Sequence, residues 1–255
     1  MDIATIFSGF GVGLIVGLTG VGGGSLMTPL LIGWLGVPPA VAVGTDLIFA
    51  GITKGFGAVA HSRHAQVNWL IVRRMVTGSV AGALLTLAVL KVMGNTAQIV
   101  ALIRPALGVA LLLTACAVLF RHRLHALVAR KPLLKSDHAQ AAASYLLSFI
   151  IGIIVTLSSV GAGAIGVTAL LLIYPLLNTR VIVGSDIAYA VPLTLIAGLG
   201  HASLGHFDGT LLLTLLVGSL PGIWLGSKLS TFAPEGLLRS LLCGCLVFAG
   251  VKILL

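Results

Sequence analysis

The sequence is poor in charged residues for its length. Only 8% of its 255 residues are Asp, Glu, Lys or Arg, whereas 58% are hydrophobic. A water-soluble domain has roughly a quarter charged residues because water must wet its surface. This composition therefore excludes a soluble globular domain and indicates that most of the surface faces lipid. Acidic residues are the scarcest, at six Asp and Glu against fifteen Lys and Arg.

Several signatures of chemistry are also missing. Cys116, Cys243 and Cys245 fall inside apolar runs and show neither a disulfide framework nor zinc spacing. The sequence has no H-E-x-x-H motif, C-x-x-C pair or P-loop, so we expect no metal, no cofactor and no ATP-driven step. Basic residues are not interleaved with aromatic ones, which argues against a nucleic-acid partner. The N-terminal MDIATIFSGFGVGL lacks a basic region and a cleavage site, and is not expected to be a cleaved signal.

The sequence does have a series of apolar runs separated by polar, glycine or proline residues. About 30 Å of hydrocarbon requires roughly twenty helical residues per crossing. We therefore predict an all-α, polytopic integral membrane protein with ten membrane elements. Runs of 16 and 11 residues reach only about 24 and 16 Å as helix, so thin crossings and re-entrant half-spans both stay open for them. The runs are 3–18, 26–36, 38–60, 69–93, 97–120, 141–157, 164–177, 180–203, 209–229 and 235–255.

The order of these runs repeats along the chain. TGVGGG at 19–24 aligns with SSVGAG at 158–163 at an offset of 139 residues, and Gly-Thr-Asp at 44–46 aligns with Gly-Ser-Asp at 184–186 at an offset of 140. Matched aspartates and glycine-rich turns at one register indicate a duplication. We predict a first repeat at residues 1–120, a basic cytoplasmic linker at 121–140 and a second repeat at 141–255.

The basic residues predict that the two repeats are inverted. Five of them lie in the linker, which marks the cytoplasmic side under the positive-inside rule. If each repeat contributes five membrane elements, eleven of the fifteen basic residues lie on that side. If each split pair of runs were one crossing, Arg180, Lys228 and Arg239 would move outside. An odd number of elements reverses the second repeat and places both termini outside.

The two glycine-rich breaks form the first candidate site. Irregular backbone at membrane depth is tolerated only where protein buries it or where it lines a wet cavity. Each break precedes an apolar run, so its glycines lie at a helix start, where free N–H groups and the helix dipole favour an anion. The alternative is that the glycines only permit close helix crossing. The candidate substrate-binding residues here are Thr19, Gly20, Gly22, Gly23, Gly24, Ser25, Ser158, Ser159, Gly161 and Gly163.

Ionisable residues inside apolar runs form a second group. Asp46 and Asp186 each follow a hydroxyl residue, Thr45 or Ser185, which are further substrate-binding candidates. The aspartates are either proton-coupling carboxylates or acceptors that orient donors around the anion, and the second reading is favoured because an anion site seldom presents a bare carboxylate. Lys54 lies two turns beyond Asp46 on nearly the same face, and either attracts the anion or neutralises an aspartate.

Two histidines occupy equivalent positions in the repeats. His61 and His201 lie at the ends of runs that point in opposite directions, so one is expected at each membrane face. Histidine titrates near neutral pH, and the pair is a candidate for gating or proton relay. The plainer alternative is a polar residue that ends a membrane helix.

The motifs resemble those of one transporter family. The opening G-x-x-x-G-L-T-G-V-G-G-G-S-L-M-T-P-L-L, the later G-T-D-L and the weaker V-G-A-G-A-I-G-V are similar to the sulfite exporter TauE/SafE family. The resemblance covers essentially the whole chain and is strongest at 9–60, whereas in the second half Ala162 replaces a glycine and no serine follows Gly163. It implies movement of sulfur oxyanions across a bacterial inner membrane, with the lipid bilayer and a small sulfur-containing anion as partners and a homodimer as an open option.

The expected function is a secondary transporter that exports sulfite or an organosulfonate such as sulfoacetate by alternating access. An anion channel shares all the site features. A third reading, an intramembrane serine hydrolase, would use Ser159 or Ser25 with His201 or His61. Symmetry disfavours the hydrolase, because an enzyme has little use for two inverted copies of one turn, whereas alternating access needs them.

Overall fold

The computed structural model describes residues 3–19, 24–63, 67–94, 96–130, 134, 136–229 and 235–255. Within these ranges the chain forms ten α-helices and no β-strand, which confirms the all-α prediction. The helices are α1 (Ile3–Thr19), α2 (Gly24–Gly33), α3 (Pro39–Arg63), α4 (Trp69–Met93), α5 (Thr96–Arg130), α6 (Asp137–Ser158), α7 (Ala164–Ile173), α8 (Thr179–Ser203), α9 (Gly209–Leu229) and α10 (Glu235–Leu254).

The helices follow the apolar runs closely, with one difference at the linker. Helix α5 continues to Arg130, ten residues beyond the apolar run that ends at residue 120. The segment 121–130 contains no glycine or proline, and Val128 is buried four residues after the half-buried Leu124. Nothing in this segment breaks a helix and one face still packs, so the basic residues extend α5 instead of ending it.

The described helices have the length and surface of membrane-spanning segments. Five of them, α4, α5, α6, α8 and α9, are long and apolar enough to cross a bilayer. Large apolar side chains such as Phe7, Leu146 and Phe248 are mostly exposed, as lipid-facing residues are. By contrast α2 and α7 have only ten residues each, or about 15 Å, half of the hydrocarbon thickness. Of the two helices on either side of the second glycine-rich break, α6 is therefore long enough to span and α7 is not.

The α6–α7 pair returns the chain to the side where it began. Nη2 of Arg74, near the start of α4, donates to both carboxylate oxygens of Asp137 at 2.9 and 2.8 Å. Nη1 of Arg74 donates to the hydroxyl of Tyr174 at 3.1 Å. Asp137 is the first residue of α6 and Tyr174 follows the last residue of α7. The start of α6 and the end of α7 therefore lie at the same end of the helix bundle.

Helices at the same place in the two predicted repeats pack against each other in opposite directions. Along α3 and α8, Gly44 lies against His201, and Gly51 lies against Leu195. Along α5 and α10, Gly108 contacts Gly250, and the Sγ of Cys243 lies 3.7 Å from the carbonyl oxygen of Ala115. In both pairs the residue number rises on one helix as it falls on the other, so the helices are antiparallel.

Two further helix pairs run parallel and approach closely through glycine. In α9, Gly218 and Gly222 lie against the carbonyls of Ile6 and Phe10 in α1. In α4, Gly78 and Gly82 lie against the carbonyls of Tyr145 and Phe149 in α6. A Cβ at any of these four glycines would come within 3.0 Å of the facing backbone. The contacts match between the pairs, since the glycines differ by 140 residues and the carbonyls by 139.

Candidate functional site

The break between α6 and α7 is built from residues with unusual backbone angles. Ser159 adopts a left-handed conformation (φ 58°, ψ 2°) and its N–H bonds to the carbonyl of Val155 at 2.7 Å. It is the one non-glycine residue with positive φ in the described chain. Gly161 and Gly163 have φ of 109° and 150°, which side chains rarely allow. We call residues 159–163 the second break; α7 begins directly after it at Ala164.

The second break is buried in protein. Val160 is fully buried, and Ser159 and Ala162 are 4% and 7% exposed. The hydroxyl of Ser158 donates to the carbonyl of Ile154 at 2.6 Å and accepts from the N–H of Val160 at 3.1 Å, so this serine stabilises the local backbone. No side chain caps α7, because its N-cap is Gly163. The N–H of Gly166 donates to the carbonyl of Gly161 at 3.2 Å. The N–H groups of Ala164 and Ile165, which precede it in the first turn, are the ones left for another acceptor.

Lys54 reaches this break from the first repeat. Its ammonium donates to the carbonyl of Ala162. The lysine lies half-buried on α3, so a positive charge stands at the start of α7, where the helix dipole is also positive. The structure brings together two features that the sequence places 108 residues apart.

Asp46 lies on the same helix, and its carboxylate lies beside both α2 and the second break. It is fully buried, and its Oδ2 accepts a hydrogen bond from the hydroxyl of Thr28 in α2 at 2.5 Å. Ser159 lies beside the same carboxylate. However, Asp46 Oδ1 and Ser159 Oγ both lack a hydrogen-bond partner among the described residues. Such buried, unpaired oxygens are rare in proteins and point to a missing partner.

Asp186, the counterpart of Asp46, has a similar surrounding on α8. It is 2% exposed, and Tyr189 lies beside it one turn further along. Both side chains press against Gly166 of α7, where a Cβ would collide with Asp186 Oδ1 and with the Tyr189 hydroxyl. These two oxygens also lack a hydrogen-bond partner in the part of the chain that the structure describes.

The charges in this region do not balance. Lys54 interacts electrostatically with both aspartates. It forms no ion pair shorter than 4.0 Å with either of them in the part of the chain that the structure describes. Two buried carboxylates thus face one ammonium.

The comparisons with known proteins decide what kind of protein carries this site. The sequence model of the family described as "Sulfite exporter TauE/SafE" matches residues 5–253. The chain belongs to this family. It is similar to the "Probable membrane transporter protein YjnA" of Bacillus subtilis (strain 168), with 37% identity over 258 residues and all of both chains covered. It is also 25% identical to the "Probable membrane transporter protein YdhB" of the same organism, over 96% of this chain and 97% of that one. No solved structure matches the chain.

The chain is therefore a multi-pass membrane transporter of the TauE/SafE family with bacterial relatives, and it is not an enzyme. The serine hydrolase reading is wrong for this reason. The geometry agrees, because the Nε2 of His201 lies 2.9 Å from the carbonyl oxygen of Thr156 and the hydroxyl of Ser159 has no partner among the described side chains.

Two of the predicted hydroxyl residues have structural partners in this transporter. The hydroxyl of Thr45 accepts from the N–H of Asp208 at 3.1 Å, and that of Ser185 accepts from the N–H of Asn68 at 2.8 Å. Asn68 caps the start of α4, and Asp208 directly precedes α9 and accepts from a first-turn N–H. Thr45 of α3 is thus bonded to the residue before α9, and Ser185 of α8 to the residue before α4. The equivalent residues of the two contacts differ by 140 in number.

The histidine of the second repeat is buried instead of lying at an open membrane face. His201 is fully buried near the end of α8, and its ring centre lies 5.6 Å from that of His206. His206 lies in the loop after α8, where partial burial lowers its pKa. The loop therefore covers His201.

Part of the predicted site cannot be compared with the structure. Gly20, Gly22 and Gly23 lie outside the described residues. For four other candidates the structure describes only the helical backbone: Thr19, Gly24, Ser25 and His61.

Three residues of the site have no place in the sequence prediction: Thr28, Gly166 and Tyr189. Tyr189 carries a usable signal, because it follows an intramembrane aspartate by three residues and so shares its helix face. Thr28 and Gly166 lie within the motifs that resemble the family, yet their roles depend on how α2 and α7 pack against other helices.

Proposed function

We propose that this transporter exports a small sulfur-containing anion, sulfite or an organosulfonate such as sulfoacetate, by alternating access of two inverted repeats. The observation that carries the proposal is the contact between Lys54 and the second break. It joins a lysine of one repeat to the start of a half-length helix of the other. A cation at a helix start favours an oxyanion.

The seat that we propose uses the Lys54 ammonium, the Ser159 hydroxyl and the first N–H groups of α7. The Ser159 hydroxyl is buried and unpaired among the described residues, so it is ready to donate to an anion oxygen. Lys54 would exchange its bond to the Ala162 carbonyl for a stronger, charge-assisted bond to the anion. By the repeat relation, we propose that the glycine-rich stretch 19–25 supplies the other side of the seat.

The proposed inversion is supported by helix direction. The equivalent helices α3 and α8 pack antiparallel, as do α5 and α10, which is the arrangement that a twofold axis in the membrane plane produces. The return of the chain by α6 and α7 supports an odd number of elements in each repeat. Together with the basic linker, this orientation puts both termini outside.

A carrier is favoured over an anion channel by the burial of the site. Ser159, Asp46 and Asp186 are at most 4% exposed. A conducting pore needs a wet path to its binding site, whereas a carrier passes through a state in which the site is closed.

The experiment that tests the seat is anion-dependent thermal stabilisation of the purified transporter. Sulfite, thiosulfate, sulfate and sulfoacetate are compared on the wild type, Lys54→Met and a control, Lys91→Met, which changes an exposed lysine at the end of α4. We expect at least one of the four anions to stabilise the wild type and Lys91→Met. Loss of a charged hydrogen bond should weaken binding to Lys54→Met roughly tenfold or more.

Two results would count against the proposal. Equal stabilisation of Lys54→Met and Lys91→Met would show that Lys54 does not contribute to anion binding. Absence of stabilisation by all four anions would remove the sulfur oxyanion as the ligand class. A third variant, Lys54→Arg, keeps the charge and separates loss of binding from loss of folding.

A further inference from the structure

The buried charges around the second break leave one negative charge uncompensated. Asp46, Asp186 and Lys54 are the charged side chains that meet there, and together they carry a net charge of −1 when all are ionised. An uncompensated carboxylate in the membrane interior is destabilising by several kcal/mol. A proton or another cation has to balance it.

The surroundings of Asp46 are known from every element that packs against α3. Helix α2 and the second break contribute the hydroxyls of Thr28 and Ser159, and the described parts of α5, α6 and α9 place no charged side chain beside the carboxylate. The titratable groups nearby are Lys54 on the same helix, Asp186, Tyr189 and His201 on α8, and His206 in the loop after α8.

The two aspartates differ in the hydroxyl groups around them. Lys54 acts on both carboxylates, and Asp186 has one hydroxyl neighbour, Tyr189. Asp46 instead has two hydroxyl neighbours, of which Thr28 already donates to Oδ2. Ser159 lies beside the carboxylate, and both the remaining oxygen, Oδ1, and Ser159 Oγ lack a partner among the described residues. When Asp46 is ionised, the serine hydroxyl is a donor to the carboxylate. When Oδ1 is protonated, the carboxyl can donate to Ser159 Oγ, and the serine hydroxyl is free to donate to an anion.

We propose that Asp46 binds the coupling proton of this transporter and that the anion binds beside the protonated form. This rests on the proposed function, since Ser159 would be shared by the proton site and the anion seat. An anion next to an ionised Asp46 would be repelled, whereas next to the neutral carboxyl it is not. Binding of the proton therefore strengthens binding of the anion, and the reverse holds to the same degree.

A metal cation fits this position less well. A bound metal ion takes about six oxygen ligands, whereas a proton needs one donor oxygen and one acceptor. The described residues offer two unpaired oxygens here, Asp46 Oδ1 and Ser159 Oγ, and the Lys54 ammonium would repel a metal ion.

The test measures anion affinity against pH with a probe that does not itself titrate. Methanesulfonate is fully ionised at neutral pH, so any pH dependence of its binding belongs to the protein, and sulfite is measured in parallel. We expect the wild-type dissociation constant to rise up to tenfold per pH unit as Asp46 loses its proton. Asp46→Asn mimics the protonated carboxyl, so its affinity should be high and independent of pH. Asp186→Asn should keep the wild-type slope.

Three outcomes of this experiment would overturn the proposal. The wild-type slope persisting in Asp46→Asn would assign the pH dependence to another group such as Lys54. Loss of the pH dependence in Asp186→Asn alone would show that the proton binds to Asp186. Affinity that depends on sodium in place of choline, and is lost in Asp46→Asn, would make this a metal-cation site.

Infrared spectroscopy tests the proton without any anion, and so separates this proposal from the proposed function. The empty wild type should show the C=O stretch of a protonated carboxyl group that is missing from Asp46→Asn and present in Asp186→Asn. If that band is found while neither sulfite nor methanesulfonate binds, the proton site at Asp46 is supported and the proposed class of substrate is wrong. If the band is absent from the wild type even at the lowest pH of the binding series, Asp46 is ionised there and the proposal is wrong.

Discussion

Adding a single methyl group at Gly166 tests the packing of Asp186 and Tyr189. In Gly166→Ala the new Cβ would lie within 3.0 Å of Asp186 Oδ1 and of the Tyr189 hydroxyl, both buried. Forcing a buried contact apart typically destabilises a protein by about 1–3 kcal/mol. Replacing glycine by alanine inside a helix stabilises it by about 1 kcal/mol, so the packing effect has to be measured against a helical glycine with free space around it.

Gly244 in α10 supplies that control, because a Cβ there would meet no atom within 4 Å. We expect Gly166→Ala to unfold at a lower temperature than Gly244→Ala, by an amount that corresponds to about 1–3 kcal/mol. Because the Asp186 carboxylate must also move, binding of sulfite should weaken in Gly166→Ala alone. Thermal unfolding in detergent and sulfite binding are measured on both variants. If the two variants behave alike in both assays, the placement of Asp186 and Tyr189 against α7 is refuted.

Three further predictions concern the helix packing and the orientation in the membrane. Arg74→Ala removes the charged hydrogen bonds that join the starts of α4 and α6 and should destabilise the fold by about 1.5–3 kcal/mol. The control Arg73→Ala, at an exposed position, should change the melting temperature little. Equal melting temperatures of the two variants would contradict this prediction. Gly222→Leu should prevent α1 and α9 from packing, seen as loss of folded protein on size-exclusion chromatography; a stable monodisperse protein would argue against the close approach. In a cysteine-free background, His206→Cys should react with an impermeant thiol reagent from outside and Arg130→Cys from inside; the opposite pattern would reverse the proposed orientation.

The sequence predicts the helices well because they depend on local patterns. Apolar runs and glycine-rich breaks locate the described helices to within a few residues, except where α5 continues through the basic segment to Arg130. The matched contacts of Thr45 and Ser185 follow the same register that aligns the repeats. Their role does not follow from the sequence, because a hydroxyl next to an aspartate fits a helix-start contact as well as a ligand contact.

The site is only partly predictable because it is assembled from residues that are distant in the sequence. Lys54 and the second break are each visible in the sequence, yet only the packing of α3 beside the break joins them. The same holds for Thr28, which reaches Asp46 from α2 across 18 residues. Contacts of this kind depend on how half-length helices enter the bundle, and apolar periodicity carries no information about that.

The most direct test of the account is concentrative uptake of radiolabelled sulfite into proteoliposomes that contain the purified transporter and carry an imposed pH gradient. The account predicts that the wild type accumulates sulfite above its equilibrium level, and that Lys54→Met does not while Lys91→Met does. Failure of the wild type to accumulate sulfite, thiosulfate or sulfoacetate under any imposed gradient, or equal accumulation by Lys54→Met, would contradict it.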